Sequence, residues 1–418
     1  MDRPLRFFDV TMLVISLVIG MGIFRAPATV AQRSGSVEVF ALAWIIGCLV
    51  AICGALAFAE AGRRMPTTGA YYRIFATAYH PSVAFAVNVI ILVSNAASSA
   101  GVAIIGSEYI SHWLPTYPPN AIAAAMIVAL FGLNLLGLRT SATVQNALMT
   151  IKLVALAVIV SALVLAPGAH GNSTIINHQA GFWESLGMAM IPVAFTFGGY
   201  QSTINFGGES VQGTRGLPRA IIVGVLIIGV VYLLTNAAYI HVLGFSTLSQ
   251  STNIAAITAD RLFGSAGANI VSIIIVVSVF GYVNVSMLAN PRVILAMSMD
   301  GVLPRSLSVS AGGVQWLSLL LFTLLSILCV FVGETFEKIL NYTIFVDAIG
   351  LALGALAIYR LRGAQLPRMV HLAVAVFVCS CLYTGLNIAL FDVQAAVLGT
   401  VLFGGVLAIG AVAVTFRR

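Results

Sequence analysis

The chain has 418 residues, 60% of them hydrophobic and 8% charged, with a mean hydropathy of +1.05. Soluble domains carry about 25% charged residues, so this composition excludes a soluble fold, and the long continuous apolar segments exclude the short alternating strands of a membrane barrel. The net charge of +7 does not call for a nucleic-acid partner, because basic residues of a polytopic membrane protein gather at the cytoplasmic ends of its helices.

Twelve apolar segments meet the roughly 20-residue length of a membrane helix. They fall at about 9–31, 38–60, 82–112, 121–138, 145–166, 183–211, 219–243, 267–297, 314–333, 337–359, 367–390 and 393–416. The first shows no small-residue cleavage pattern and reads as a retained span rather than a signal peptide. With the N-terminus inside, the inner segments hold Arg3, Arg6, Arg63, Arg64, Arg73, Arg139, Arg215, Arg219, Arg305, Arg360, Arg362, Arg368, Arg417 and Arg418. The outer segments hold Arg33, Arg261 and Lys338, while Arg25, Lys152 and Arg292 fall within spans. This asymmetry places both termini in the cytoplasm of a cell with the chain in its inner (plasma) membrane. The largest outer segment, 244–267, contains a helix-like piece around Ile254 to Phe263 that is expected to lie over an outer vestibule. The five cysteines, Cys48, Cys53, Cys329, Cys379 and Cys381, all lie in apolar segments and read as core residues, not a disulfide frame.

The first span is interrupted at Gly20-Met21-Gly22. Glycine costs roughly 1 kcal/mol in a helix interior and lets the backbone leave the helix. A break here bares N–H groups at the start of one half-helix and C=O groups at the end of the other. Lipid does not tolerate such groups unless protein buries them or they line a wet cavity. A mid-membrane break is therefore suited to a zwitterion, with its carboxylate at the N-terminal end and its amine at the C-terminal end. The alternative is that small residues only let two helices pack closely. Glycines interrupt the sixth span as well, at Gly198-Gly199 and Gly207-Gly208. Broken helices five spans apart point to an inverted repeat with a site at mid-membrane. The halves would be 1–166 and 183–359, with 367–418 forming two accessory helices.

At this point the chain resembles the amino acid–polyamine–organocation (APC) transporters. Ile19-Gly20-Met21-Gly22-Ile23-Phe24 is similar to the family's first-helix signature G-[SAM]-G-I-F. Phe195-Thr196-Phe197-Gly198-Gly199-Tyr200-Gln201, with Gly208-Glu209 and Arg215-Gly216-Leu217-Pro218-Arg219-Ala220, resembles its sixth-helix pattern at matching spacing. The run Arg292 to Pro304 is similar to R-x-x-x-A-M-x-x-D-G-x-L-P, and Gln145 to Lys152 resembles the start of the fifth helix. Bacterial relatives of the L-type amino acid transporters look most alike. The resemblance implies an all-α LeuT-like fold, a 5+5 inverted repeat with broken helices 1 and 6 and twelve transmembrane helices. It also implies amino acid transport without ATP hydrolysis. Met21, Tyr200 and Thr214 depart from the family pattern, which bears on substrate size rather than fold.

The resemblance carries roles onto particular residues. Gly20, Met21 and Gly22 would present amides to the substrate carboxylate, with Ile23 beside them, and the Val18 and Ile19 carbonyls would receive its ammonium. Phe195, Thr196, Phe197, Gly198 and Gly199 would form the second wall, with Phe195 and Tyr200 as aromatic gates. Arg25 would attract carboxylates in an outer vestibule or bond nearby carbonyls. Lys152 would tether helices 1 and 5 where sodium-coupled relatives place a cation, implying sodium independence; the other reading is a stem that snorkels to the inner surface. Glu60 and Glu108 read as interfacial or paired, and Glu209, Arg292 and Asp300 as inner-gate or helix-end contacts.

No G-x-x-x-x-G-K-[ST], G-x-S-x-G or H-E-x-x-H motif is present, and the six histidines show no metal-ligand spacing. No enzymatic activity, cofactor or metal is expected. The expected function is secondary active transport of amino acids by alternating access, with neutral L-amino acids exchanged independently of sodium. A polyamine or cationic substrate is disfavoured, because no lone acidic residue falls within the predicted pocket stretches. The sequence leaves open a proton-coupled importer, an exporter, and a channel or non-transporting receptor on the same fold. Expected partners are a small-molecule amino acid, the lipid bilayer and, for the coupled alternative, protons; the oligomeric state is not specified.

Overall fold

The computed structural model of the chain describes residues 5–111, 113–166, 168, 181–209, 213–251, 253–310, 314–332 and 336–415. Arg3, Arg417 and Arg418 lie outside the described residues, as do the side chains of Arg139, Thr214 and Lys338.

The first apolar segment forms two half-helices, α1 (Phe7–Val18) and α2 (Gly22–Ser34). Asp9 accepts a hydrogen bond from Arg6 N at 3.0 Å and caps α1, and α2 ends at Gly35, whose φ of 68° is glycine's own territory. Ser36 then caps α3 (Val37–Arg64), accepting from Val39 N at 3.3 Å. A helix that the sequence reading did not foresee, α4 (Ala70–Ala78), follows before α5 (Pro81–Ser111), α6 (Pro119–Leu135) and α7 (Leu138–Leu165). The sixth segment, expected to span 183–211, is α8 (Phe182–Phe197) followed by two short 3-10 turns, Tyr200–Asn205 and Gly207–Glu209. Next come α9 (Gly213–Leu243), α10 (Phe245–Gln250) and α11 (Ile254–Met299), which breaks at Gly264 where φ is 67°. The helix-like piece expected near Ile254 to Phe263 is the stretch of α11 before that break. The chain closes with α12 (Trp316–Val332), α13 (Phe336–Leu356), α14 (Arg368–Phe391) and α15 (Val393–Thr415).

Among the described residues, seven helical segments are long and apolar enough to cross a membrane, and four shorter helices are apolar. Helices α5 and α11 pack on one another and form one side of the centre, with α12, α13 and α15 against α5 and α7 against α11. The other side is α3 and α9, which hold α1 and α8. Helix α2 lies along α8, so the two interrupted segments meet between these walls. The cysteines are all free, but only Cys381 is buried; Cys379 is exposed and the other three are half-buried. The core assignment therefore holds for Cys381 alone, because apolar helices in a membrane also face lipid.

The end of the second interrupted segment is pinned. Arg292 of α11 forms a bidentate pair with Glu209, at 2.8 Å from each nitrogen, and its guanidinium lies 4.3 Å from the Phe206 ring centroid. Gly69 N donates to Asn205 O and Tyr71 N to Asn205 Oδ1, each at 3.0 Å, so α4 braces the same turn. Arg292→Met is expected to lower the thermal midpoint of the detergent-solubilised protein, with a loss of roughly 2 kcal/mol because Glu209 is left unpaired beside partial solvent. Arg292→Met with Glu209→Leu is expected to recover some of that loss. Equal midpoints for the single and double variants, read by thermal unfolding, would show that the ion pair is not the tie.

Candidate functional site

Helix α1 stops because Ile19, at ψ 78°, has left the helical region. Ile19 N still bonds to Ile15 O and Gly20 N to Val18 O, each at 2.7 Å. The helical path resumes at Met21 and Gly22, and Phe24 N bonds to Met21 O at 3.1 Å. Gly20 N, expected to face a carboxylate, is thus engaged inside the break. Met21, Gly22 and Ile23 begin α2, where N–H groups have no acceptor a turn earlier.

The bared carbonyls of the first break have long-range partners. Lys152 of α7 is 1% exposed; its ammonium donates to Ile19 O and reaches Ser278 O of α11 at 3.2 Å. The stem does not run to a surface, so snorkelling does not describe it. Tyr232 of α9 places its hydroxyl 3.1 Å from Val18 O and 3.2 Å from Thr196 O, bridging the two interrupted segments. Trp44 and Phe197 pack around the Tyr232 ring at centroid separations of 6.1 and 5.1 Å.

At the second break, Gly198 N bonds to Phe195 O at 3.2 Å and Gly199 N to Gln201 Oε1 at 3.0 Å. Gly199 has a φ of 114°, and a Cβ there would run into the Leu17 carbonyl oxygen. Only glycine satisfies both conditions. Gly22 meets α8 in the same way: a Cβ would sit 2.8 Å from Thr196 Cγ2 and 2.9 Å from Thr196 Oγ1. Close helix packing therefore accounts for Gly22 whether or not its amide also meets a ligand.

The two breaks open on one cavity of about 130 Å³, comparable to the cavity of about 150 Å³ that admits benzene in an engineered core. Of the residues singled out in the sequence, Val18, Gly20, Met21, Gly22, Phe195, Thr196, Phe197, Gly198, Gly199 and Tyr200 line it. Ile19, Ile23, Lys152 and Arg25 do not. Ile19 and Lys152 form the tether behind the break, and Arg25 lies on α2 with Nη1 3.9 Å from Glu108 of α5. Glu60 is paired with Arg63 and Arg64. Tyr200 is 3% exposed and turns its hydroxyl toward Gly54, next to Phe377.

Sequence reasoning missed several lining residues. Asn95 and Ser98 of α5, Tyr282 of α11 and Asp347 of α13 form a polar wall, and Phe377, Cys381 and Thr384 bring in α14. Helix α14, read as accessory, contributes directly to the cavity. Asp347 is a lone acid in a cavity that was expected to have none, and it removes the argument against a cationic substrate. Its signal was in the sequence: an acidic residue inside an apolar span marks a function by default.

Two interrupted helices that converge on a buried cavity within a helical membrane scaffold define a carrier rather than an enzyme. A family model described as amino acid permease matches residues 5–413. The chain belongs to that family, has its LeuT-like fold and is a membrane transporter of amino acids. It is 27% identical over 376 residues to the large neutral amino acids transporter small subunit 2 of Oryctolagus cuniculus, covering 86% of this chain and 70% of the relative. It is 26% identical over 358 residues to the serine/threonine exchanger SteT of Bacillus subtilis, covering 84% and 81%. The cystine/glutamate transporter of Homo sapiens is 27% identical over 390 residues, covering 89% and 77%.

Gly22→Ala is expected to reduce amino acid uptake at least tenfold, since a clash costing about 1.4 kcal/mol already does so. Adding Thr196→Ala removes both offending side-chain atoms and is expected to restore some of the uptake, because an alanine amide still faces the break. Failure of the second change to rescue a folded protein would give the amide surroundings, not helix packing, as the reason for glycine.

Proposed function

We propose that the chain exchanges L-amino acids across the membrane by alternating access, independently of sodium. The observation that carries this reading is the convergence of both breaks on one cavity, with the ammonium of Lys152 bound at the first. A substrate carboxylate fits the amides that open α2, at Met21 and Gly22. Its α-ammonium fits the carbonyl ends of α1 and α8, near Val18, Phe195 and Gly198, where helix C-termini favour positive charge. The relatives are named for large neutral amino acids, for serine and threonine, and for cystine and glutamate. Those substrates differ in side chain and share the zwitterion, and the zwitterion is what a pair of half-helix ends recognises.

A fixed ammonium at Ile19 O repels a second cation placed beside it, which is the physical ground for sodium independence. Phe195 and Tyr200 serve as aromatic gates in this reading, and Arg25, in the first turn of α2, closes against Glu108 of α5. The halves of the repeat are 1–166 and 183–359, followed by helices at 367–418. Twelve spans place both termini in the cytoplasm with the protein in the inner membrane, in keeping with the asymmetry of Arg and Lys.

The test is uptake of labelled amino acids into proteoliposomes containing the full chain. Exchange predicts uptake into vesicles preloaded with amino acid, equal in sodium and choline buffers, and little uptake into empty vesicles. Accumulation in empty vesicles under an inward proton gradient would replace exchange with proton-coupled import. Lys152→Ala is expected to cut exchange by about tenfold or more, since charge-assisted hydrogen bonds contribute about 1.5–3 kcal/mol. Full activity in that variant, or a strict sodium requirement, would refute the role given to Lys152.

A further inference from the structure

Apolar residues such as Met21 and Phe195 line the cavity, and so do polar residues of α5, α11 and α13. Of the polar residues, Asn95 donates to Asn290 at 2.7 Å. Asp347 is different. One carboxylate oxygen accepts from Ser94 Oγ at 3.0 Å, and the residue lines the cavity.

Among the described residues, the ion pairs join Arg25 to Glu108, Arg63 and Arg64 to Glu60, and Arg292 to Glu209. None of these involves Asp347, and the ammonium of Lys152 is directed at Ile19 O and Ser278 O. A carboxylate at mid-membrane is unfavourable without a partner of opposite charge or a set of donors. One serine hydroxyl does not complete that set. The space also continues past Asp347 into a smaller one lined by Tyr71, Gln201 and Asn205, where the buried Tyr71 hydroxyl has no hydrogen-bond partner. Asp347 thus lines both spaces, where a ligand group can approach it.

We propose that Asp347 is the specificity-determining residue of a side-chain subsite, and that the chain takes amino acids whose side chain ends in a cation, such as an ammonium. The inference rests on the reading of the cavity as an amino acid site. The half-helix ends hold the zwitterion, the methylene stem crosses the apolar region of the cavity, and the terminal ammonium donates to the Asp347 carboxylate. A charge-assisted pair of this kind adds affinity and orients the ligand.

Ornithine and norleucine test the assignment, because they match in length and differ in a terminal ammonium against a methyl. In proteoliposomes preloaded with the same amino acid, the wild-type chain is expected to take up ornithine with a kcat/KM at least about tenfold above that of norleucine. Asp347→Asn is expected to remove that preference by losing ornithine while keeping norleucine. A wild-type preference for norleucine, an unchanged ratio in Asp347→Asn, or an equal loss of both substrates would overturn the subsite. A measurement that needs no variant guards against misfolding: ornithine should raise the thermal midpoint of the purified wild-type chain more than norleucine does, and equal shifts would also overturn it. Absence of counterflow with any amino acid would instead refute the exchange reading, while the two thermal shifts still report on Asp347.

Discussion

A peptide group bared in an apolar slab must find a partner, and this chain bares several at one depth by interrupting two helices. Unsatisfied groups of this kind cost several kcal/mol each in hydrocarbon. The arrangement of the surrounding helices follows from that demand. Helix α7 brings Lys152 to Ile19 O, and α9 brings Tyr232 to Val18 O and Thr196 O. The two breaks also press against each other where Gly199 meets the Leu17 carbonyl. With these carbonyls served, Met21 and Gly22 at the start of α2 line the cavity.

The two interrupted segments are not equivalent mechanically. The first resumes as a regular helix, α2, held along α8 by the contact of Gly22 with Thr196. The second resumes only as short 3-10 turns, whose hydrogen-bond geometry is poorer than that of an α-helix. Its stability comes from outside, through Asn205 to α4 and Glu209 to Arg292. A segment held by a few side-chain ties at one end can change its angle by breaking those ties, without unravelling a helix.

The apolar runs, the glycine pairs and the family motifs were legible because each is local in the chain. Gly20-Met21-Gly22 and Gly198-Gly199 stand out as pairs of glycines inside apolar stretches, and the structure breaks helices at both. Tyr232 was not legible, because an aromatic residue in a span ordinarily reads as core and its partners lie in α1 and α8. Helix α4 was hidden by the Pro66 and Gly69 that introduce it, and α14 by its even hydrophobicity. Asp347 was legible in principle, as a charge within an apolar run, but only tertiary packing sets it in the same cavity as Met21. Gly22, marked for its amide, also has a packing reason to be glycine in the approach of Thr196, which no local pattern shows.

Lys152 and Asp347 are both charges in the apolar interior, yet their surroundings divide their work. The ammonium of Lys152 is met by the carbonyls of Ile19 and Ser278, so its charge is engaged at the break, and Lys152 does not line the cavity. The carboxylate of Asp347 has one serine on one side and the cavity on the other. On the proposed reading, a ligand meets peptide dipoles at the half-helix ends and the carboxyl group of Asp347. The dipoles act on every amino acid alike, because every one carries the same zwitterion. On that reading, selection among side chains falls to Asp347 and to the width set by Met21 and Phe195, all of which line the cavity.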